Sequence, residues 1–229
     1  DGKAIIGGNF TTVSGSTLNR IARINTNGTP DLTYNPNVNN YVFAIAIQSD
    51  GKAIIGGNFT TVSGSTRNRI ARLNTNGSLD LTYNPNANSE IYAIAIQSDG
   101  KAIIGGYSAT VSGSNRNRLA RINTDGAVDL TYDPNVDRTT TAGLMRVTAI
   151  AIQSDGKAII GGDFTTASAA PRNRIARINT SGSAVTLRAP YTLPAVQVPQ
   201  YAVLTLEKTD VTSTPSSSGE WWVINSNAS

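Results

Sequence analysis

The chain has 229 residues and a formal charge of +4, and its 19 Lys and Arg are dispersed among 15 Asp and Glu. With no basic run and no aromatic platform beside one, that distribution argues against nucleic-acid binding. Absence of Cys and His excludes disulfide frameworks, thiolate or imidazole metal sites and the common triads, and no apolar run is long enough to span a bilayer.

Hydrophobic residues make up 39% and charged residues 15%, which leaves an exterior rich in amides and hydroxyls. The run Asp-Gly-Lys-Ala-Ile-Ile-Gly-Gly opens at Asp1, Asp50, Asp99 and Asp155, at spacings of 49, 49 and 56 residues. A period of that size marks one supersecondary unit copied in tandem. No signal peptide is recognisable, and because Asp1 lies inside a copy, any targeting segment would lie upstream of it.

The first copy starts without the strand that precedes Asp-Gly-Lys elsewhere. From there the second copy shows the whole pattern. Tyr41 to Gln48 alternates small and large residues as a strand does, and Ser49-Asp50-Gly51 then predicts a tight hairpin, since its centre needs positive φ. Lys52 to Gly57 is the second strand, Thr60 to Asn68 a polar loop and Arg69 to Asn74 the third strand. Asn76-Gly77 predicts another tight turn and Leu79 to Tyr83 a fourth strand, ended by Asn84-Pro85-Asn86 because Pro cannot extend a ladder. Nothing repeats at helical spacing. The expected fold is all-β, with four short antiparallel strands per unit, the size and strand count of a β-propeller blade in a larger ring or array.

In this arrangement the Asp-Gly and Asn-Gly turns share one end, and the longer loops share the other. The copies differ mainly at the long-loop end. Arg138 to Arg146 carries the third copy's seven extra residues (56 against 49) and the only methionine, Met145. Variable loops on a rigid repeat are where binding usually sits, which makes Arg138, Met145 and Arg146 candidate partner-binding residues. Domain organisation is expected as 1–183 for four repeats (1–49, 50–98, 99–154 and an incomplete 155–183), then 184–229 as a Pro/Ser-rich linker and β extension. Within the extension, Tyr201 to Leu206 and Glu220 to Ile224 read as strands, the first able to supply the strand missing from copy one. Trp221 and Trp222 point to opposite faces, one filling a core or docking seam or serving as a binding anchor.

Ala-Ile-Gln-Ser-Asp-Gly-Lys-Ala-Ile-Ile-Gly-Gly-Asn-Phe, followed by Asn-Arg-Ile-Ala-Arg-Leu-Asn-Thr-Asn-Gly-Ser-Leu-Asp, resembles the delta-60 β-propeller repeat over residues 1 to about 183. The resemblance implies a propeller and a place in large secreted or surface proteins of bacteria or in phage tail proteins. It implies no catalytic activity and does not reach the tail.

Glu stands only at positions 90, 207 and 220, so a glycosidase would have to pair aspartates. Gly-Gly follows a strand but leads into no helix, which argues against a phosphate cradle. Asn123-Thr-Asp125-Gly126 echoes a calcium loop, yet its counterparts carry amides, and a hairpin turn already accounts for the spacing. Arg20/Arg23, Arg69/Arg72, Arg118/Arg121 and Arg174/Arg177 recur beside Asp31, Asp80 and Asp129. Either they form a row of anion contacts, or they build an interblade ladder suited to arginine's fork.

No cofactor, metal or catalytic residue is expected. The sequence points to a non-catalytic structural or binding module, extracellular, at a cell surface or on a virion. It would be a phage tail-fibre-like or bacterial surface adhesin component. Expected partners are other copies or neighbouring subunits of a fibre, tail or surface assembly, and a glycan or protein receptor. The alternatives are a purely structural fibre subunit and a polysaccharide-degrading enzyme on a propeller frame.

Overall fold

The computed structural model describes residues 2–137 and 145–184, and every regular element among them is a β-strand. Copy one holds β1 (Ala4–Gly7), β2 (Thr12–Val13), β3 (Ser16–Thr17) and β4 (Ile21–Ile24). Copy two holds β5 (Val42–Ile47), β6 (Ala53–Gly57), β7 (Thr61–Val62), β8 (Ser65–Thr66) and β9 (Ile70–Leu73). Copy three repeats this as β10 (Ile91–Ile96), β11 (Ala102–Gly106), β12 (Thr110–Val111), β13 (Ser114–Asn115) and β14 (Leu119–Ile122). Copy four does so as β15 (Arg146–Ile152), β16 (Ala158–Asp163), β17 (Thr166–Ala167), β18 (Ala170–Pro171) and β19 (Ile175–Ile178). The sequence-predicted strands Tyr201 to Leu206 and Glu220 to Ile224 lie outside the described residues, as do Arg138, Trp221 and Trp222.

Among the described residues three three-stranded antiparallel sheets result, ordered β5-β6-β9, β10-β11-β14 and β15-β16-β19, while copy one contributes the two-stranded β1-β4. The turns explain the register. Gly51, at φ +80°, donates to the Gln48 carbonyl at 2.9 Å, and Ile45 comes to face Ile55, which faces Ala71. Gly77 repeats the device at φ +87°. Both turns lie at one end: a Cβ on Gly51 would stand 3.0 Å from the Thr75 methyl.

Two expectations are corrected. Leu79 to Tyr83 is not a fourth strand. Leu79 makes a single bridge to Leu73, and the Asp80 carboxylate then accepts from the Thr82 N–H (3.1 Å) and hydroxyl (2.7 Å). That side-chain cap offers the backbone a turn instead of a ladder. Leu81 is left 69% exposed while Tyr83 is fully buried, so the alternation does not mark one sheet face. Asp31 and Asp129 cap the same turn in their copies. The polar loop from Thr60 to Asn68, conversely, contains the short ladder β7-β8, turned by Ser63 and Gly64 at positive φ. The connector from the preceding copy adds a bridge to it, Val38 to Val62, and the third copy repeats this as Ala87 to Val111.

The cores lie between copies. Ile21, Tyr34 and Val38 of copy one pack with Val42, Ile55, Phe59 and Leu73 of copy two. Equivalent clusters join copies two to three and three to four. Burying each such Val, Ile or Phe is worth about 1.5–3 kcal/mol, so a copy gains stability only against its neighbour.

The two repeated glycines have separate duties. A Cβ on Gly7, Gly56 or Gly105 would stand 2.7 Å from Val42, Ile91 or Val147, the residues with which the next copy plugs in. A Cβ on Gly57 or Gly106 would stand 2.0 Å from the carbonyl oxygen of Tyr41 or Glu90 in its own sheet. Packing, rather than anion binding, accounts for Gly-Gly.

Candidate ligand-binding site

Residues that recur between copies serve a different purpose from those that vary. At the Asp-Gly end, Asp80 sits between Lys52 Nζ (3.1 Å) and Arg72 Nε (3.0 Å). Arg72 also donates to the Thr124 carbonyl of the next copy at 2.6 Å and lies 4.3 Å from the Tyr83 ring centroid. Arg23 and Arg121 do the same with Asp31 and Asp129, donating to the Thr75 and Thr180 carbonyls. This is an interblade ladder, and guanidinium geometry suits it because one group makes the ion pair, the hydrogen bond and the ring contact together. The turn at Asn123 to Gly126 closes on itself, with Asp125 accepting from the Ala127 N–H at 2.9 Å.

Asp31 is held well below the ordinary carboxylate range by the Thr33 hydroxyl, then Lys3 and Arg23. Burial raises Asp80 and Asp129, but their threonine, lysine and arginine hydrogen bonds outweigh it and the net shift is downward. Burial also pushes the Tyr34 phenol up to about 12. The aspartates titrate lower folded than unfolded, so their stabilisation is complete above the unfolded value, about pH 4. It is lost as pH falls below that and through the depressed folded values. The melting temperature should hold from pH 8 to about 5 and fall steeply below about 4, a course that scanning calorimetry across pH would follow.

The other arginines go elsewhere. Arg20, Arg69, Arg118 and Arg174 all take positive φ, 62° to 68°, at the long-loop end. Arg20 donates to the Phe10 carbonyl and Arg69 to that of Asn58. The sequence grouped the two arginine sets together, and the structure sends them to opposite ends.

Beside this second set lie the positions at which the copies differ. Positions 41, 90 and 146 are Tyr, Glu and Arg; positions 43, 92 and 148 are Phe, Tyr and Thr. Bulges between Val42 and Ala44, Ile91 and Ala93, and Val147 and Ala149 leave Phe43, Tyr92 and Thr148 outside the ladder. A bulge re-aims the side chain it carries. Phe43 stacks on Tyr92 with centroids 5.0 Å apart and planes 12° from parallel, and Tyr41 lies 5.9 Å from Phe43. Guanidiniums close the row, Arg20 at 5.7 Å from the Tyr41 centroid and Arg146 at 5.4 Å from that of Tyr92. Tyr41 is 36% and Phe43 42% exposed. A row of aromatic rings from copies two and three is thus capped by arginines from copies one and four.

Of the residues singled out by sequence, Arg146 belongs to this row. Met145 lies beside it, with its sulfur 3.9 Å from an Arg118 nitrogen. Tyr41, Phe43 and Tyr92 were missed. The signal was present as the columns in which otherwise near-identical copies disagree.

The family model for a domain of unknown function, the DUF5122 beta-propeller, matches residues 1–34, 48–83, 97–132 and 153–184. The chain belongs to that family. Its fold is accordingly a β-propeller repeat fold, and the family description assigns it no activity. No curated protein matches. Among solved structures, a catalytically inactive virginiamycin B lyase from Staphylococcus aureus with quinupristin aligns at 19% identity and a TM-score of 0.47. The alignment covers 83% of this chain and 57% of the lyase. A protein of unknown function from Bacteroides caccae aligns at 13% identity and a TM-score of 0.45, covering 80% of this chain and 66% of that one. The DUF5122 match ends before the sequence-expected tail strands.

Proposed function

We propose that this DUF5122 propeller, delta-60-like in its motif, is a non-catalytic binding module of an extracellular or virion protein. It is a phage tail-fibre-like or bacterial surface adhesin component that recognises a glycan or protein through its long-loop end. One observation carries the reading. The Lys/Arg-Asp ladder recurs in copies one to three and Gly-Gly in all four, whereas two columns that differ in every copy compared, Tyr41/Glu90/Arg146 and Phe43/Tyr92/Thr148, lie beside one another. A part needed to build the blade recurs in each copy, and a part that meets an asymmetric partner does not. Exposed Tyr, Phe and Arg are also the side chains that anchor interfaces.

Arrays of bacterial surface glycans and of surface proteins, probed with wild type and with the Phe43→Ala/Tyr92→Ala double variant, test this. Binding should weaken at least tenfold in the variant with its melting temperature retained. Unchanged binding, or turnover of a polysaccharide that one Asp→Asn substitution abolishes, would overturn the reading.

A further inference from the structure

The row can be assigned a ligand class, an inference that rests on the binding reading above. Arg20, Arg69, Arg118 and Arg174 line the long-loop end, and Arg146 joins them at the start of β15. Among the described residues, the carboxylates that meet this set are Glu90 and Asp163. Glu90 accepts from the Ser89 hydroxyl, which with the more distant Arg69 holds its pKa down, and Asp163 pairs with Arg174 at 2.6 Å. Asp163 stands opposite Arg146 in the β15-β16 ladder, but the described side-chain hydrogen bonds and ion pairs join neither Arg20 nor Arg146 to a carboxylate: Arg20 meets a backbone carbonyl and a ring, and Arg146 meets a ring. A surplus of cations therefore flanks the aromatic strip.

Ring geometry separates the anionic ligands. Sugars recognised by aromatic side chains need an open ring face. Here Phe43 and Tyr92 cover each other, and the Arg146 guanidinium takes up more of the Tyr92 ring. The exposed parts of Tyr41 and Phe43 lie between the guanidiniums of Arg20 and Arg146. Ring edges pack against side chains, and guanidinium forks take carboxylates in bidentate fashion. From this we infer that the row binds an extended, acidic protein segment, its carboxylates on Arg20 and Arg146 and its apolar side chains over Tyr41 and Phe43.

The test uses fluorescein-labelled poly-L-glutamate as the acidic chain, polygalacturonate as the acidic glycan, and anisotropy at about 0.15 M salt, where diffuse attraction is largely screened. Poly-L-glutamate should bind wild type. Arg146→Gln should weaken it about tenfold, the loss of one charge-assisted contact. Phe43→Ala should also weaken it, without any change of charge. Lys157→Gln removes one positive charge beside Asp155, at the opposite end, and should leave affinity within about twofold. Equal losses in Arg146→Gln and Lys157→Gln would reduce the effect to net charge and overturn the inference. Tighter binding of polygalacturonate, with the same dependence on Arg146 and Phe43, would overturn the peptide class while sparing the site. Absence of poly-L-glutamate binding alongside retained array binding would do the same.

Discussion

Asp80→Ala should lower the free energy of unfolding by about 3 kcal/mol, the cost of stranding a partly buried cation pair. Its carboxylate is the shared acceptor for Lys52 and Arg72, and Arg72 is 91% shielded, with Tyr83 beneath it and the Thr124 carbonyl of the next copy in front. Removing the carboxylate leaves a guanidinium with too few acceptors at a junction between copies. It also removes the cap on the Thr82 turn. Urea titration should show the midpoint moved and the two-copy junction loosened, with hydrogen exchange faster around β9 and β14. Asp155→Ala is the matched control. Its partner Lys157 is solvent-accessible and a pair of that kind contributes little, so only the exposed hydrogen bond from the Lys157 N–H is lost and the midpoint should move far less. Equal shifts for the two substitutions would refute the ladder as a structural device.

Gly57→Ala should be more damaging still, and Gly8→Ala should be almost silent, although the two glycines occupy the same place in the repeat. The new methyl at 57 would lie 2.0 Å from the Tyr41 carbonyl oxygen, which is backbone and cannot swing aside. Strand β5 would have to separate from β6, so a loss above about 3 kcal/mol, or failure to accumulate folded protein, is expected. At Gly8 the nearest atom is a Phe10 ring carbon at 3.5 Å, ordinary contact distance, and the change should stay within about 0.5 kcal/mol. The neighbouring glycines make an independent pair. Gly56→Val drives into Ile91, where even a Cβ stands at 2.7 Å, whereas Gly161→Val first meets the Ala149 Cβ, 3.7 Å from the new Cβ, and should be milder. Circular dichroism melts of the four variants would rank them, and a destabilised Gly8→Ala would sink the account.

Much of this architecture could be read from the residues because turn chemistry is local. Asp50-Gly51 and Asn76-Gly77 need positive φ whatever surrounds them, and they fixed the ends of β5, β6 and β9 to within a residue or two. Leu79 to Tyr83 misled because strand alternation and an aspartate-capped turn both place apolar residues two apart. Only the Thr82 hydroxyl, bonded to Asp80, separates them. The ladder was half legible. Arg72 and Arg69 lie three apart on one chain, yet the left-handed backbone at Arg69 turns it toward the opposite end. The aromatic row was hidden for a related reason. Tyr41, Phe43 and Tyr92 meet through bulges, and a bulge adds a residue without leaving a mark in the alternation.

The Ala-Ile-Ile-Gly-Gly stretch is identical in β6 and β11, and each receives its inner strand in the same register. Excising residues 50–98 as one block would hand β5 directly to β11, with Val42 still seated against Gly7 and Val147 still against Gly105. A gene built this way can shorten or lengthen by whole cassettes without repairing any junction. The same excision deletes Tyr92 and leaves Phe43 without its stacking partner. Copy number and the proposed binding row would then change in a single recombination while the fold stays intact.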